Sequence, residues 1–305
     1  MTGAADAAPV AFYAGNYIGD YADKFIYEYT KEKNMLVDFH THIFPDKIAE
    51  KTMAYLESRC HNHPFTDGTA QGLVKAMERA DADIAVNLPV LTKPYQFESI
   101  TRFALSVSEQ YANAKRRIIS FGGIHPACDD IKGKMRFLKD NGFIGVKIHP
   151  DYQETFIDDE GYIQILKSAK DLDMVVVTHS GVDDGYLDQP VRCTPSRVKK
   201  VIEAVGHEKF VLGHYGALDM WEETLDILAD KNVYFDTAFT LHRIDKDLFK
   251  KILDRHGDDK VLFASDCPWA DIAGHKKILL SYGLNKETEE KILYKNAMKL
   301  LKIGG

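Results

Sequence analysis

The stretch 173-DMVVVTH-179 runs through four consecutive apolar residues, Met174 to Val177, and ends on a threonine and a histidine. A run this short, continuous and rich in β-branched residues reads as a strand buried on both faces. Seven further runs share the pattern: 35-MLVDFH-40, 83-DIAVNLPV-90, 117-RIISFGGI-124, 143-FIGVKIH-149, 209-KFVLGH-214, 233-VYFDTAF-239 and 261-VLFASD-266. Segments with helical spacing separate them, such as 68-GTAQGLVKAMERADA-82, 97-FESITRFALSVSEQYANAKR-116, 195-PSRVKKVIEAVG-206 and 218-LDMWEETLDILADK-231. Apolar strands joined by crossover-length helices imply a parallel sheet with covered faces. Eight such units over about 250 residues predict an α/β fold, a closed (β/α)8 TIM barrel. An open doubly wound sheet is the competing architecture, but no Gly-rich phosphate turn follows any strand.

In this reading residues 35–305 form one barrel domain and residues 1–34 an N-terminal extension, with small residues first and then a Tyr- and Asp-rich texture. Tyr21 to Tyr29 is expected to be one helical piece docked on the barrel, and Met35 is a candidate alternative translation start. The balance of 39 Lys+Arg against 46 Asp+Glu gives a net charge of −7 without a basic stripe, which argues against nucleic acid and anionic membranes as partners. No apolar run approaches the roughly 18 residues of a membrane span, and the N-terminus lacks the order of a secretory signal. Cys60, Cys128, Cys193 and Cys267 are scattered without a C-x-x-C pair, as suits a reducing compartment. A cytoplasmic location is expected.

Functional groups in a (β/α)8 barrel collect where strands end and the following loops begin. His40 and His42 end the first strand, Lys147 and His149 the fourth, His179 the fifth, His214 the sixth and Asp266 the eighth. One histidine at a strand end is commonly hydrogen-bonded structure, but five strands converging on one rim point to a metal site. Residues i and i+2 of a strand face the same way, so His40 and His42 project side by side. Neutral imidazole and carboxylate are the ligands a catalytic zinc or similar divalent ion takes. His40, His42, His179 and Asp266 would supply three nitrogens and one carboxylate. A bound ion lowers the pKa of water from about 15.7 to roughly 7. Asp266 could then accept that water's proton, and His214 could polarise the substrate.

The motifs HTH (40–42), VTHSG (177–181), LGHYGA (212–217) and FASDCPW (263–269) resemble the metal-dependent amidohydrolase superfamily. The branch they resemble is the amidohydrolase-related group that includes aminocarboxymuconate semialdehyde decarboxylase and related hydrolases. The resemblance implies one divalent ion, usually zinc, held by His40, His42, His179 and Asp266, with His214 catalytic rather than a ligand. Homodimers are common among such proteins.

Lys147 has two readings: a carbamylated bridge between two metals, or an ammonium that binds substrate or pairs with a carboxylate. The second is preferred here. His149 is expected to line the pocket. Tyr152 and Trp269 either wall the pocket or cap helices, and Arg192 is either an anion clamp or exposed. His125 is either in the pocket or in the core. The run 60-CHNH-63 reads as a solvated loop, Cys267 as a buried thiol facing away from Asp266, and His207, His242, His256 and His275 as surface residues.

Three functions are carried forward. The first is a metal-dependent hydrolase acting on a small polar amide, ester or lactone. The second is a metal-dependent decarboxylase of a small unsaturated or aromatic acid, signalled by arginines that reach the metal. The third is a barrel that binds a small molecule without turning it over.

Overall fold

The computed structural model describes residues 35–303, so the expected Tyr21 to Tyr29 helix lies outside the described residues. All eight expected strands form. They are β1 (Val37–Thr41), β2 (Ile84–Asn87), β3 (Arg117–Ser120, resuming at Gly122–Gly123), β4 (Gly145–Ile148), β5 (Val175–Thr178), β6 (Phe210–Leu212), β7 (Tyr234–Asp236) and β8 (Val261–Leu262). Sequential strands pair in parallel, in chain order. At the break in β3, Phe121 N donates to Asn87 O at 2.9 Å and carries the ladder across. Phe39 N donates to Phe263 O at 2.9 Å and Asp266 N to His40 O at 2.9 Å, which joins the last strand to the first. The sheet is therefore a closed barrel, and the open doubly wound alternative is excluded.

Closure explains the continuous apolar runs. In β5, Val175 and Val177 belong to the core inside the barrel, while Val176 belongs to the core between barrel and helices. The helices bury one stripe each. Pro195–Val205 sets Val198, Val201 and Val205 against the outer core. Its N-cap is Thr194, whose hydroxyl accepts from Arg197 N at 3.4 Å, and it stops at Gly206 with φ 59°. No helix among the described residues is long and apolar enough to cross a membrane.

Strict alternation fails at one place that matters. Asp38 pairs with Ala85 but Thr41 with Asn87, so β1 carries one extra residue over that interval. Such a bulge re-aims side chains. Phe39 packs edge-on against Phe121 in the inner core at 5.9 Å, yet its neighbour His40 also faces inward, 2.9 Å from Lys147 Nζ.

Two histidines expected at the surface are buried instead. His207 Nε2 donates to Met174 O and His275 Nε2 to Thr237 O, each at 2.9 Å. Burial pushes both imidazoles down to about 4. His256 is half-buried and His242 exposed. A depressed folded-state pKa favours the neutral ring, so this contribution is full above about 6.5 and is lost as pH falls towards 4. Each group contributes on the order of 3 kcal/mol over that window. The thermal midpoint is expected to drop between pH 6.5 and 4, and less steeply in His275→Gln. A flat profile would contradict the assignment.

Candidate active site

The C-terminal strand ends gather the expected polar residues at one mouth. His40 lies 5.0 Å from His42 and 5.5 Å from His214 between ring centroids. His179 lies 4.5 Å from His214 and stacks on His149 at 4.4 Å. Tyr152 stacks on His149 at 3.9 Å, which sandwiches that ring. The backbone is bent to aim two of these groups: His214 has φ 59° and Asp266 φ 74°. Non-glycine residues rarely adopt such angles, and here hydrogen bonds hold them. His214 N donates to Asp236 Oδ1 at 3.0 Å, and Asp266 N to His40 O at 2.9 Å.

Hydrogen-bond partners assign which nitrogen each ring offers. His40 Nδ1 sits 2.8 Å from Asp236 Oδ2, an acceptor, so Nδ1 carries the proton and Nε2 a lone pair. His42 Nδ1 donates to Leu88 O at 2.9 Å and also leaves Nε2 bare. Both nitrogens face Asp266 Oδ1, at 3.5 Å from His40 and 3.2 Å from His42, and the His40 lone pair is also approached by Lys147 Nζ at 2.9 Å. The donor atoms of His40, His42 and Asp266 all lie within 4.8 Å of one another. Two lone pairs with fixed tautomers and one carboxylate oxygen fit a divalent ion that prefers N/O ligands.

Lys147 reaches into this group. Its side chain is 1% exposed, and its Nζ lies 2.9 Å from His40 Nε2. No carboxylate among the described residues forms an ion pair with it. Burial lowers the ammonium to about 8, against the pull of Asp236 and Asp266.

His179 lies on the other side of His214 from His40. His214 Nδ1 donates to Ala238 O at 2.9 Å, so His214 Nε2 accepts from His179 Nδ1 at 2.8 Å. That leaves His179 Nε2 bare, facing Asp183 Oδ2 at 3.9 Å and Asp151 Oδ2 at 4.0 Å. His149 Nε2 lies 3.5 Å from the same Asp183 oxygen, and His149, His179 and Asp183 form a second close group. Burial lowers the pKa of both imidazoles well below the usual range. Burial, with the negative charge of Asp151, raises Asp183 to about 7.

The remaining expected residues divide. Arg192 is buried, with its Nη1 3.5 Å from Asp151 Oδ1. Trp269 packs against the core between barrel and helices, and so does Cys267, which is buried. His125 is buried, its Nδ1 accepting from Ala127 N at 3.0 Å. His61 and His63 are exposed, with His63 bonded to Glu57.

Sequence reasoning missed Asp236, Asp38, Asp151 and Asp183. Asp236 and Asp38 had a signal, each being an acid inside an apolar strand. Asp38 accepts from Ser265 Oγ at 2.5 Å and Ser265 N at 2.9 Å, which fixes the backbone just before Asp266.

Fold and donor groups together define a class: (β/α)8 barrels with an imidazole and carboxylate cluster at the C-terminal mouth. The family model described as Amidohydrolase matches residues 37–303, and the chain belongs to that family of enzymes. The resemblance drawn from the four motifs is borne out. Among solved structures, 5-carboxyvanillate decarboxylase from Sphingomonas paucimobilis matches with TM-score 0.67 at 13% identity, covering 89% of this chain and 100% of that one. 2,6-Dihydroxybenzoate decarboxylase from Rhizobium matches with TM-score 0.63 at 16% identity, over 88% and 99%. Dihydroxybenzoic acid decarboxylase from Polaromonas sp. JS666, with bound manganese and the inhibitor 2-nitroresorcinol, matches with TM-score 0.65 at 16% identity, over 88% and 97%. No curated protein matches the sequence.

Proposed function

We propose that the protein is a metal-dependent decarboxylase of a small hydroxylated aromatic acid. The observation that carries this reading is Lys147, a buried ammonium beside the His40, His42 and Asp266 group with no carboxylate among the described residues to pair with. A buried unpaired cation is costly, and a substrate carboxylate would offset that cost. The hydrolase reading, on a neutral amide or lactone, gives this charge nothing to do. Arg192, the expected anion clamp, is occupied by Asp151, so Lys147 takes that role. The decarboxylases among the structural neighbours support the same choice, and manganese in one of them widens the candidate ion beyond zinc.

His40, His42 and Asp266 would hold the ion, which supplies positive charge to bind the carboxylate and to stabilise negative charge developing on the substrate. Lys147 holds the carboxylate from its own side and orients it. Tyr152, stacked on His149, offers a flat wall for an aromatic ring. His214 Nε2 and His179 Nδ1 share one proton; once the pair takes up a second from solvent, His214 delivers its Nε2 proton to the ring carbon that bears the carboxylate. The bond from that carbon to the carboxylate then breaks, its electron pair returns to the ring, and carbon dioxide leaves. One proton is consumed per turnover and is regained by His214 from solvent.

Lys147→Met is expected to raise KM for 2,6-dihydroxybenzoate by about 10- to 100-fold, the size of a lost charged hydrogen bond. Steady-state kinetics of carbon dioxide release checks this. An unchanged KM, or turnover of a lactone or amide without carbon dioxide, would refute the reading.

A further inference from the structure

We infer that Asp184 and Arg243 are positioning residues: they clasp the helix Asp46–Cys60 of the first loop to the turn Asp184–Tyr186 and so hold the outer wall of the mouth. The inference goes beyond the decarboxylase reading and does not depend on it, since the wall serves whatever molecule enters.

Consecutive residues at this turn face opposite ways. Asp183 points into the mouth, its Oδ2 3.5 Å from His149 Nε2. Asp184 points to the rim, where its Oδ2 accepts from Asn62 Nδ2 at 2.9 Å and from Arg243 Nη1 at 2.7 Å. Arg243 Nη2 donates to Asp219. One carboxylate and one guanidinium thereby join the loops that follow β1, β5, β6 and β7. From the first loop, Arg59 Nη2 also donates to Gly185 O at 2.6 Å, and its guanidinium lies 5.0 Å over the Tyr186 ring. Arg243 is itself held, its N donating to Thr240 O at 2.8 Å and its guanidinium lying 5.4 Å over the Phe239 ring.

The turn moves as one piece. Asp183 Oδ1 accepts from Gly185 N at 2.8 Å, and Asp183 O accepts from Tyr186 N at 2.9 Å. Its near end is tied down, because Val182 N donates to Leu218 O at 2.9 Å. Gly181, with φ 86°, fits there only as glycine, since a Cβ would lie 2.1 Å from Leu218 N. Tyr186 lies 5.3 Å from Tyr152, the ring that walls the pocket. A displaced Asp184 therefore carries Asp183 and Tyr186 with it and opens the wall. The side chains of Asp184, Arg243 and Asp219 are 19, 26 and 32% exposed, and a forked network at this depth is worth more than a lone surface pair.

Cys60, at the end of the first-loop helix, reports the clasp. It is half-buried, whereas Cys128, Cys193 and Cys267 are buried. Burial, with the negative charges of Asp183 and Asp184, holds the Cys60 thiol above its usual range. The rate at which dithiodipyridine, a neutral disulfide, modifies Cys60 in the full chain is measured for the wild type, Arg243→Met and Asp184→Ala, with Cys60→Ser as the blank. Both variants are expected to react about tenfold faster while the buried thiols stay unmodified. The pair of signs separates opening from a charge effect. Losing the Asp184 charge alone would speed the thiol, whereas losing the Arg243 charge alone would slow it. The double variant is expected to react no faster than the faster single one. If Arg243→Met exposes the buried thiols, its fold is lost, and Arg243→Lys takes its place; it keeps the charge without the fork, and a smaller acceleration is expected. An Arg243 variant with its buried thiols protected that reacts at or below the wild-type rate would overturn the clasp. With 2,6-dihydroxybenzoate, Arg243→Met is expected to raise KM about fivefold at a kcat within about twofold of wild type. A lowered kcat at unchanged KM would overturn the positioning role. No turnover by the wild type would sink the decarboxylase reading and leave the thiol rates to decide this inference.

Discussion

Asp266→Asn is expected to lower kcat for decarboxylation by about 1,000-fold and to remove the ion bound by His40 and His42. Asp266 Oδ1 is the one carboxylate oxygen that both bare imidazole nitrogens meet, so the amide takes away the only negative charge in that group. The substitution separates chemistry from folding. Asp266 occupies a left-handed backbone position with φ 74°, which asparagine also tolerates. Its backbone N–H still donates to His40 O. The metal-free unfolding midpoint should therefore stay close to wild type while activity and ion content fall together. Activity within tenfold of wild type would remove Asp266 from the machinery.

Asp236→Asn is expected to weaken the ion at His40 and His42 by about 10- to 100-fold, although Asp236 is not in that donor group. Asp236 accepts from His40 Nδ1 through Oδ2, and from His214 N and Ala238 N through Oδ1. Whichever way an asparagine turns, its amide hydrogens meet another donor. If they face His40, the ring moves its proton to Nε2 and withdraws the lone pair the ion needs. Metal titration of the variant checks this, and wild-type affinity would show that the Asp236 hydrogen bond does not set the His40 tautomer.

The barrel was legible because its signal is repeated: eight short apolar runs, each buried on two faces, and polar groups at their C-terminal ends. The identities of the residues at the mouth were legible for the same reason. How they bond to one another was not. The bulge between Asp38 and Thr41 turns both Phe39 and His40 inward, and no residue pattern in 36-LVDFHTH-42 announces it. The bond between His179 Nδ1 and His214 Nε2 depends on Ala238 O taking the other His214 nitrogen, a backbone contact 24 residues along the chain. Asp151 and Asp183 sit in loops, where side-chain direction has no period to read. His275 is a different kind of miss. It shares a helix face with Ile272 and Leu279, so its burial could have been read from spacing.

The most direct test of the account is wild-type turnover of 2,6-dihydroxybenzoate in D2O, with metal-stripped and metal-reloaded protein compared. The expected result is one carbon dioxide per aromatic product, with deuterium at the vacated ring carbon, lost on stripping and restored on reloading. Turnover that survives metal removal, or no carbon dioxide from any hydroxylated aromatic acid while an ester or lactone is hydrolysed, would contradict it.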